Sequence, residues 1–341
     1  MDLNVLWFLL LGVLLAGYAI LDGFDLGVGI VHLAVKHDEE RRILMNSIGP
    51  LWDGNEVWLV TFGGALFAAF PQAYATVFSG FYTAFMILLF ALIFRAVSME
   101  FRGKHDAPAW RAFWDVSFCV ASVLATFLFG VAVGNAMCGM PIGPDMEFQG
   151  TFWSLLHPYA LLVGAFAVAT FAMHGSMYLY LKTDGALQQR IREWTWRTFG
   201  IFLVFYLFTT IYTLADPTLA GPATANFRLY PRGWLVVGLN VLAIANIPRA
   251  IHLGRPGYAF ASSCATIAAL TFLFGVALFP DLIRSSLNPA WSLTIYNAAS
   301  SKKTLTIMAI IAALGMPFVL AYTSVVYWVF RGKVQLGKFS Y

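Results

Sequence analysis

The chain has 341 residues, of which 60% are hydrophobic and 11% charged, and its mean hydropathy is +0.74. A soluble domain carries about a quarter charged residues, so these values exclude a soluble globular fold and indicate an all-α polytopic membrane protein. The net charge of +4 matters less than its placement, and no nucleic-acid signature accompanies it.

Nine apolar runs approach the roughly 20 residues needed to cross a hydrocarbon core. They lie at about 6–31, 50–70, 79–99, 114–134, 156–181, 198–215, 233–251, 258–279 and 305–330. The start, MDLNVLWFLLLG, has no basic region before its apolar run, so that run is expected to remain as a membrane helix. Connecting segments are short, so a single integral membrane domain over 1–341 is expected. Sixteen of the 21 Lys and Arg follow odd-numbered runs, among them Lys36, Arg102, Arg192 and Lys338. The positive-inside rule makes those segments cytoplasmic, with the N-terminus outside and the C-terminus inside.

Charges inside such runs are costly and need a reason. In the first run, ILDGFDLGVG places Asp22 and Asp25 three apart on one helix face. Gly23 and Gly27 have the small-xxx-small spacing that lets another helix approach. The two acids read as a protonatable pair, or as partners of a basic residue on a neighbouring helix. The second run opens WDGNEVW. Asp53 and Glu56 share one face and Asn55 and Trp58 another, so the acids are expected to look inward and the Trp58–Asn55 side outward. Asp53 alone also suits a helix N-terminus. In the third run Arg95 lies about one turn inside the end, as a candidate charge partner. Glu100 and Lys104 are four apart, in the order that favours a helix pair.

His174 lies well inside the fifth run and His157 near its other end. A bis-imidazole haem site needs facing histidine pairs, so His174 reads as a hydrogen-bonded packing residue and no metal site is expected. Three cysteines without a CxxC spacing argue against a disulfide framework or zinc site. Buried carboxylates in a nine-span chain also admit a proton-coupled secondary transporter. Such transporters show matched, interrupted half-repeats, and none is visible.

The segments LDGFDLGVG, NSIGPLWDGNEVWLVTFGGALFAAFP and FSGFY, then IFRA, the GN after the fourth run, and KKTLTIMAIIAALGMPFVLAYTSVVYW extend along the whole chain. In them the sequence resembles subunit II of the cytochrome bd-type quinol oxidases, the cyanide-insensitive form included. The resemblance implies two four-helix bundles plus one extra helix, in a bacterial or archaeal cytoplasmic membrane. It implies a complex that oxidises quinol and reduces dioxygen to water, building a proton gradient by vectorial chemistry without pumping. Two b-type haems and one d-type haem are implied mainly on subunit I, none on this chain alone, and a single-span small subunit is a further possible partner beside membrane lipid. Asp53, Glu100, Lys104 and Tyr341, with Asp22, Asp25 and Glu56, are then candidates for a proton path. Trp52, Asn55 and Trp58 are candidates for oxygen access or a subunit boundary.

Overall fold

The computed structural model describes residues 2–337. Among them are twelve α-helices: α1 (Leu3–Val31), α2 (Asp38–Ile48), α3 (Trp52–Ala69), α4 (Pro71–Gly80), α5 (Tyr82–Arg102), α6 (Pro108–Cys138), α7 (Pro158–Lys182), α8 (Gly185–Ala215), α9 (Pro217–Leu229), α10 (Gly233–His252), α11 (Pro256–Leu278) and α12 (Lys302–Val329). Strands β1 (Asp281–Ile283) and β2 (Leu293–Thr294) pair antiparallel between α11 and α12.

Eight of these helices are long and apolar enough to cross a membrane: α1, α5, α6, α7, α8, α10, α11 and α12. The second expected span, 50–70, folds as α3 but is not one of the eight. It has 18 residues, and Asp53, Asn55 and Glu56 lower its hydropathy. Three shorter helices occupy segments outside the expected spans or at their edges. α2 begins with Asp38, Glu39 and Glu40, whose charges suit a helix start. α4 and α9 each begin with proline, whose fixed φ and missing N–H suit the first helical position. In α9 the cap is Asp216, which accepts from Thr218 N at 2.9 Å.

α1 is the central helix, in contact with α3, α6, α7 and α11. Its crossing with α7 is backbone on backbone. A Cβ on Gly27 would lie 2.0 Å from Phe171 O and 2.7 Å from Gly175 N. α6 meets α7 in the same way, since a Cβ on Gly130 would lie 2.6 Å from Val163 O. Such approach maximises van der Waals contact where lipid supplies no hydrophobic drive.

α12 leaves most of its length exposed and is tied mainly at its ends. At its start, Trp7 Nε1 donates to Leu305 O at 3.0 Å. Just before it, Ser300 Oγ donates to Ala68 O at 2.6 Å, covering the end of α3. At the far end Lys182 Nζ donates to Phe330 O and, at 3.3 Å, to Gly332 O. Lys333 Nζ returns the bond to Leu181 O at 2.8 Å and Thr183 O at 2.7 Å. Each lysine covers the last carbonyls of the other's helix, where cations are favoured. Burial lowers the Lys333 pKa, and the Asp184 charge opposes that shift.

Gly27→Val should drive a side chain into the α7 backbone and cost about 1–3 kcal/mol or more, by overpacking. Gly200, on α8, has open space at its Cβ position, so Gly200→Ala should be neutral or stabilising. Thermal midpoints of the two purified variants check the contrast.

Candidate functional site

Arg95 of α5 is 1% exposed and is the largest fully buried side chain. Its guanidinium reaches α1, where Nη1 donates to Asp22 Oδ2 at 3.1 Å. Nη2 lies 2.6 Å from Asp22 Oδ1, off the hydrogen-bond direction, so this contact is electrostatic. Asp25 Oδ2 is 4.0 Å away and Glu56 Oε1 3.9 Å. Asn55 Nδ2 donates to Asp25 Oδ2 at 2.7 Å, and Tyr327 OH of α12 donates to Asn55 Oδ1 at 2.8 Å. One cation thus faces three carboxyl groups contributed by α1 and α3. Tyr18 OH, Asp25 Oδ1 and Arg95 Nε are buried beside these groups without a protein hydrogen bond.

The structure brings together Asp22, Asp25, Asn55, Glu56 and Arg95, and the charge partner expected in Arg95 pairs with Asp22. The expected sidedness of α3 is corrected. Asn55 is 2% exposed and points at α1, while Asp53 is exposed. The inward stripe continues through Phe62, Leu66 and Ala69, which pack in the core. Trp58 does not face outward either: it lies over Gly17 of α1, where a Cβ would come within 2.4 Å of the indole. Helical spacing identifies which residues share a face; packing on α1 selects the face that turns in. Asp53 is not the helix cap, since Leu51 holds that position; it sits in the first turn. Trp52 is half-buried against the α1–α7 core.

Glu100 and Lys104 are exposed at the same end. α5 stops at Arg102 and Lys104 lies in the following turn, its N bonded to Phe101 O at 3.0 Å, so Lys104 lies beyond the helix that carries Glu100. Tyr341 lies outside the described residues.

A second charged cluster escaped the sequence reading. Asp115, 1% exposed near the start of α6, lies 2.6 Å from His32 Nε2, 2.8 Å from Arg41 Nη1 and 2.6 Å from Arg102 Nε. Arg102 also reaches Asp38 at 2.6 Å. The signal was present: a carboxylate within the first two turns of a 31-residue apolar helix needs a cation.

His174 does not fit a haem or metal ligand. His174 has both ring nitrogens engaged, Nε2 with Ile20 O at 2.9 Å and Nδ1 with Ser263 Oγ at 2.7 Å. Its ring stacks on Phe260 at 5.1 Å. His32 meets Asp115 through Nε2, and its Nδ1 is buried without a protein hydrogen bond. No three of His, Cys, Asp and Glu form a metal-binding group among the described residues.

Residues 3–330 match the family described as cytochrome bd terminal oxidase subunit II. The chain is 36% identical over 360 residues to the cytochrome bd-I ubiquinol oxidase subunit 2 of Escherichia coli (strain K12), covering 97% of this chain and 95% of that one. It is 38% identical over 338 residues to the cytochrome bd ubiquinol oxidase subunit 2 of Bacillus subtilis (strain 168), covering 98% and 97%. A chain in the structure of bd oxidase from Geobacillus thermodenitrificans shares the fold, with TM-score 0.79, 19% identity and coverage of 97% of this chain and 99% of that one.

Arg95→Gln should leave two buried carboxylates without their cation, at a cost of about 3–5 kcal/mol. Tyr327→Phe removes one hydrogen bond to Asn55 and should cost about 1–3 kcal/mol by stranding a buried acceptor. Loss of folded protein in detergent, measured by thermal denaturation, should rank Arg95→Gln well above Tyr327→Phe.

Proposed function

The chain belongs to the family of cytochrome bd terminal oxidase subunit II, and we propose that it carries the haem-bearing subunit I and opens a proton path towards it. The proposed complex oxidises quinol and reduces dioxygen to water, in line with relatives named ubiquinol oxidases. The protons for water come from the cytoplasm and quinol protons leave outside, so a gradient forms without pumping. The two b-type haems and the d-type haem sit mainly on subunit I; the fully engaged ring of His174 supports that assignment. Family membership displaces the transporter reading.

Nine spans are proposed, α3 included. At 1.5 Å per residue its 18 residues extend about 27 Å, close to a hydrocarbon core. The resemblance divides them into α1, α3, α5 and α6 in one group of four and α7, α8, α10 and α11 in the other, with α12 added; α1 and α6 pack closely on α7 across that division. The sixteen basic residues favour an outside N-terminus and an inside C-terminus. A bacterial or archaeal cytoplasmic membrane, its lipid and a single-span small subunit complete the proposal.

The observation that carries the proposal is the outward stripe of α3. Asp53, Gly54, Val57, Val60, Thr61 and Gly64 are all exposed there. A carboxylate and two glycines do not suit lipid tails, whereas small residues suit close helix contact. Subunit I docks on this stripe, with Trp52 and Trp58 flanking the boundary. Asp53 heads the proton path at the cytoplasmic end, with Glu100, Lys104 and Tyr341 as its further candidates. Glu56, Asp25 and Asp22 continue it inward.

Asp53→Asn in the assembled complex should slow oxygen reduction and proton uptake together, on the order of tenfold, with haem absorbance unchanged. Unaltered rates would place the proton path elsewhere. Gly64→Leu should instead prevent subunit I and its haem bands from copurifying.

A further inference from the structure

Where α8 and α10 meet, one polar side chain is buried in an apolar setting. Asn240 of α10 is 1% exposed. It lies about 10 Å along the helix from Gly233, at 1.5 Å per residue. Its Nδ2 donates to Tyr206 OH of α8 at 3.4 Å, long for such a bond. Asn240 Oδ1 is buried without a protein hydrogen bond. Tyr206 uses its hydroxyl here only as an acceptor, so the hydroxyl hydrogen is unspent. The two residues therefore keep one donor and one acceptor side by side. Turning the amide over exchanges the roles and leaves the sum unchanged. Tyr206 then donates to Oδ1, Nδ2 is the spare donor, and the hydroxyl oxygen is the spare acceptor.

The surroundings select what can pair with these groups. No Asp, Glu, Lys or Arg occurs at 158–181 of α7, 198–215 of α8, 233–248 of α10 or 256–278 of α11. A bound ion would find no counter-charge there, and an unpaired polar group between membrane helices is costly. Phe202 stacks on Tyr206 with ring centroids 5.9 Å apart, and Phe166 lies 6.2 Å from the same ring. Ile244, one turn on from Asn240, is buried in the same cluster. A small neutral molecule that accepts one hydrogen bond and donates another satisfies both polar residues in either amide orientation.

We propose that one water molecule is bound between Asn240 and Tyr206, as a hydrogen-bonded joint between α8 and α10. It accepts from the Tyr206 hydroxyl and donates to Asn240 Oδ1, closing a ring with the direct contact. Buried waters make about three hydrogen bonds. Thr209 Oγ1, one turn along α8, is also buried without a protein hydrogen bond and is available to the second hydrogen of the water. Such a bridge holds nearly as well as a direct hydrogen bond. The site is separate from the proposed proton path and from the α3 stripe.

Electron cryomicroscopy of the assembled complex, at a resolution that shows ordered internal water, tests the site. One density should lie within hydrogen-bond reach of both the Asn240 amide and the Tyr206 hydroxyl. Asn240→Leu and Tyr206→Phe should each lose it. Tyr206→Phe keeps the ring that packs on Phe202 and serves if Asn240→Leu fails to assemble. A wild-type map with other internal waters but none here overturns the proposal. So does a density that persists in the variants, which would assign the water to other groups.

Discussion

Arg95 carries a full charge buried within α5, a helix long and apolar enough to cross a membrane. A charge there is tolerable only with counter-charges and hydrogen-bond acceptors close by. Those partners come from other helices: Asp22 and Asp25 from α1, Glu56 from α3. Asn55 then joins Asp25 to Tyr327 on α12. The requirement of one guanidinium thus fixes the lateral order of four helices that are far apart in sequence. The same need near the start of α6 gathers His32, Arg41 and Arg102 around Asp115. Between these polar clusters the helices meet through glycine, where side-chain volume is absent.

This arrangement gives the chain two kinds of acid. Asp22, Asp25 and Asp115 are buried and held by cations. Asp53 is exposed on a stripe of small residues and is held by nothing on its own helix cap. Buried, paired carboxylates are expensive to disturb. An exposed carboxylate stays open to solvent or to a neighbour. The difference follows from geometry, since all four are the same residue type.

Much of the fold was legible in the residues. The long apolar runs, the close approach at Gly27 and the pairing of Arg95 with an α1 acid followed from hydropathy and from the cost of buried charge. The inward face of α3 did not. Spacing around a helix says that Asn55 and Trp58 lie together, but only the position of α1 decides that they turn inward, over Gly17 and Asp25. α9 lies between two expected spans, where its Pro and Gly content resembles turns, although Asp216 followed by Pro217 is also a helix start. Asp115 was overlooked because it sits at the edge of an apolar run, where interfacial charge is ordinary. The carbonyl bonds of Lys182 and Lys333 leave no pattern in sequence, since any lysine near a helix end looks solvated.

The exchange of lysines between α7 and the tail orders events during synthesis. Lys182 is made early, and its carbonyl acceptors at Phe330 and Gly332 arrive some 150 residues later. Until the ribosome has released the segment around Lys333, the end of α7 lacks its cover and α12 lacks its anchor. Docking of the far end of α12 on α7 therefore waits until nearly the whole described chain has been made.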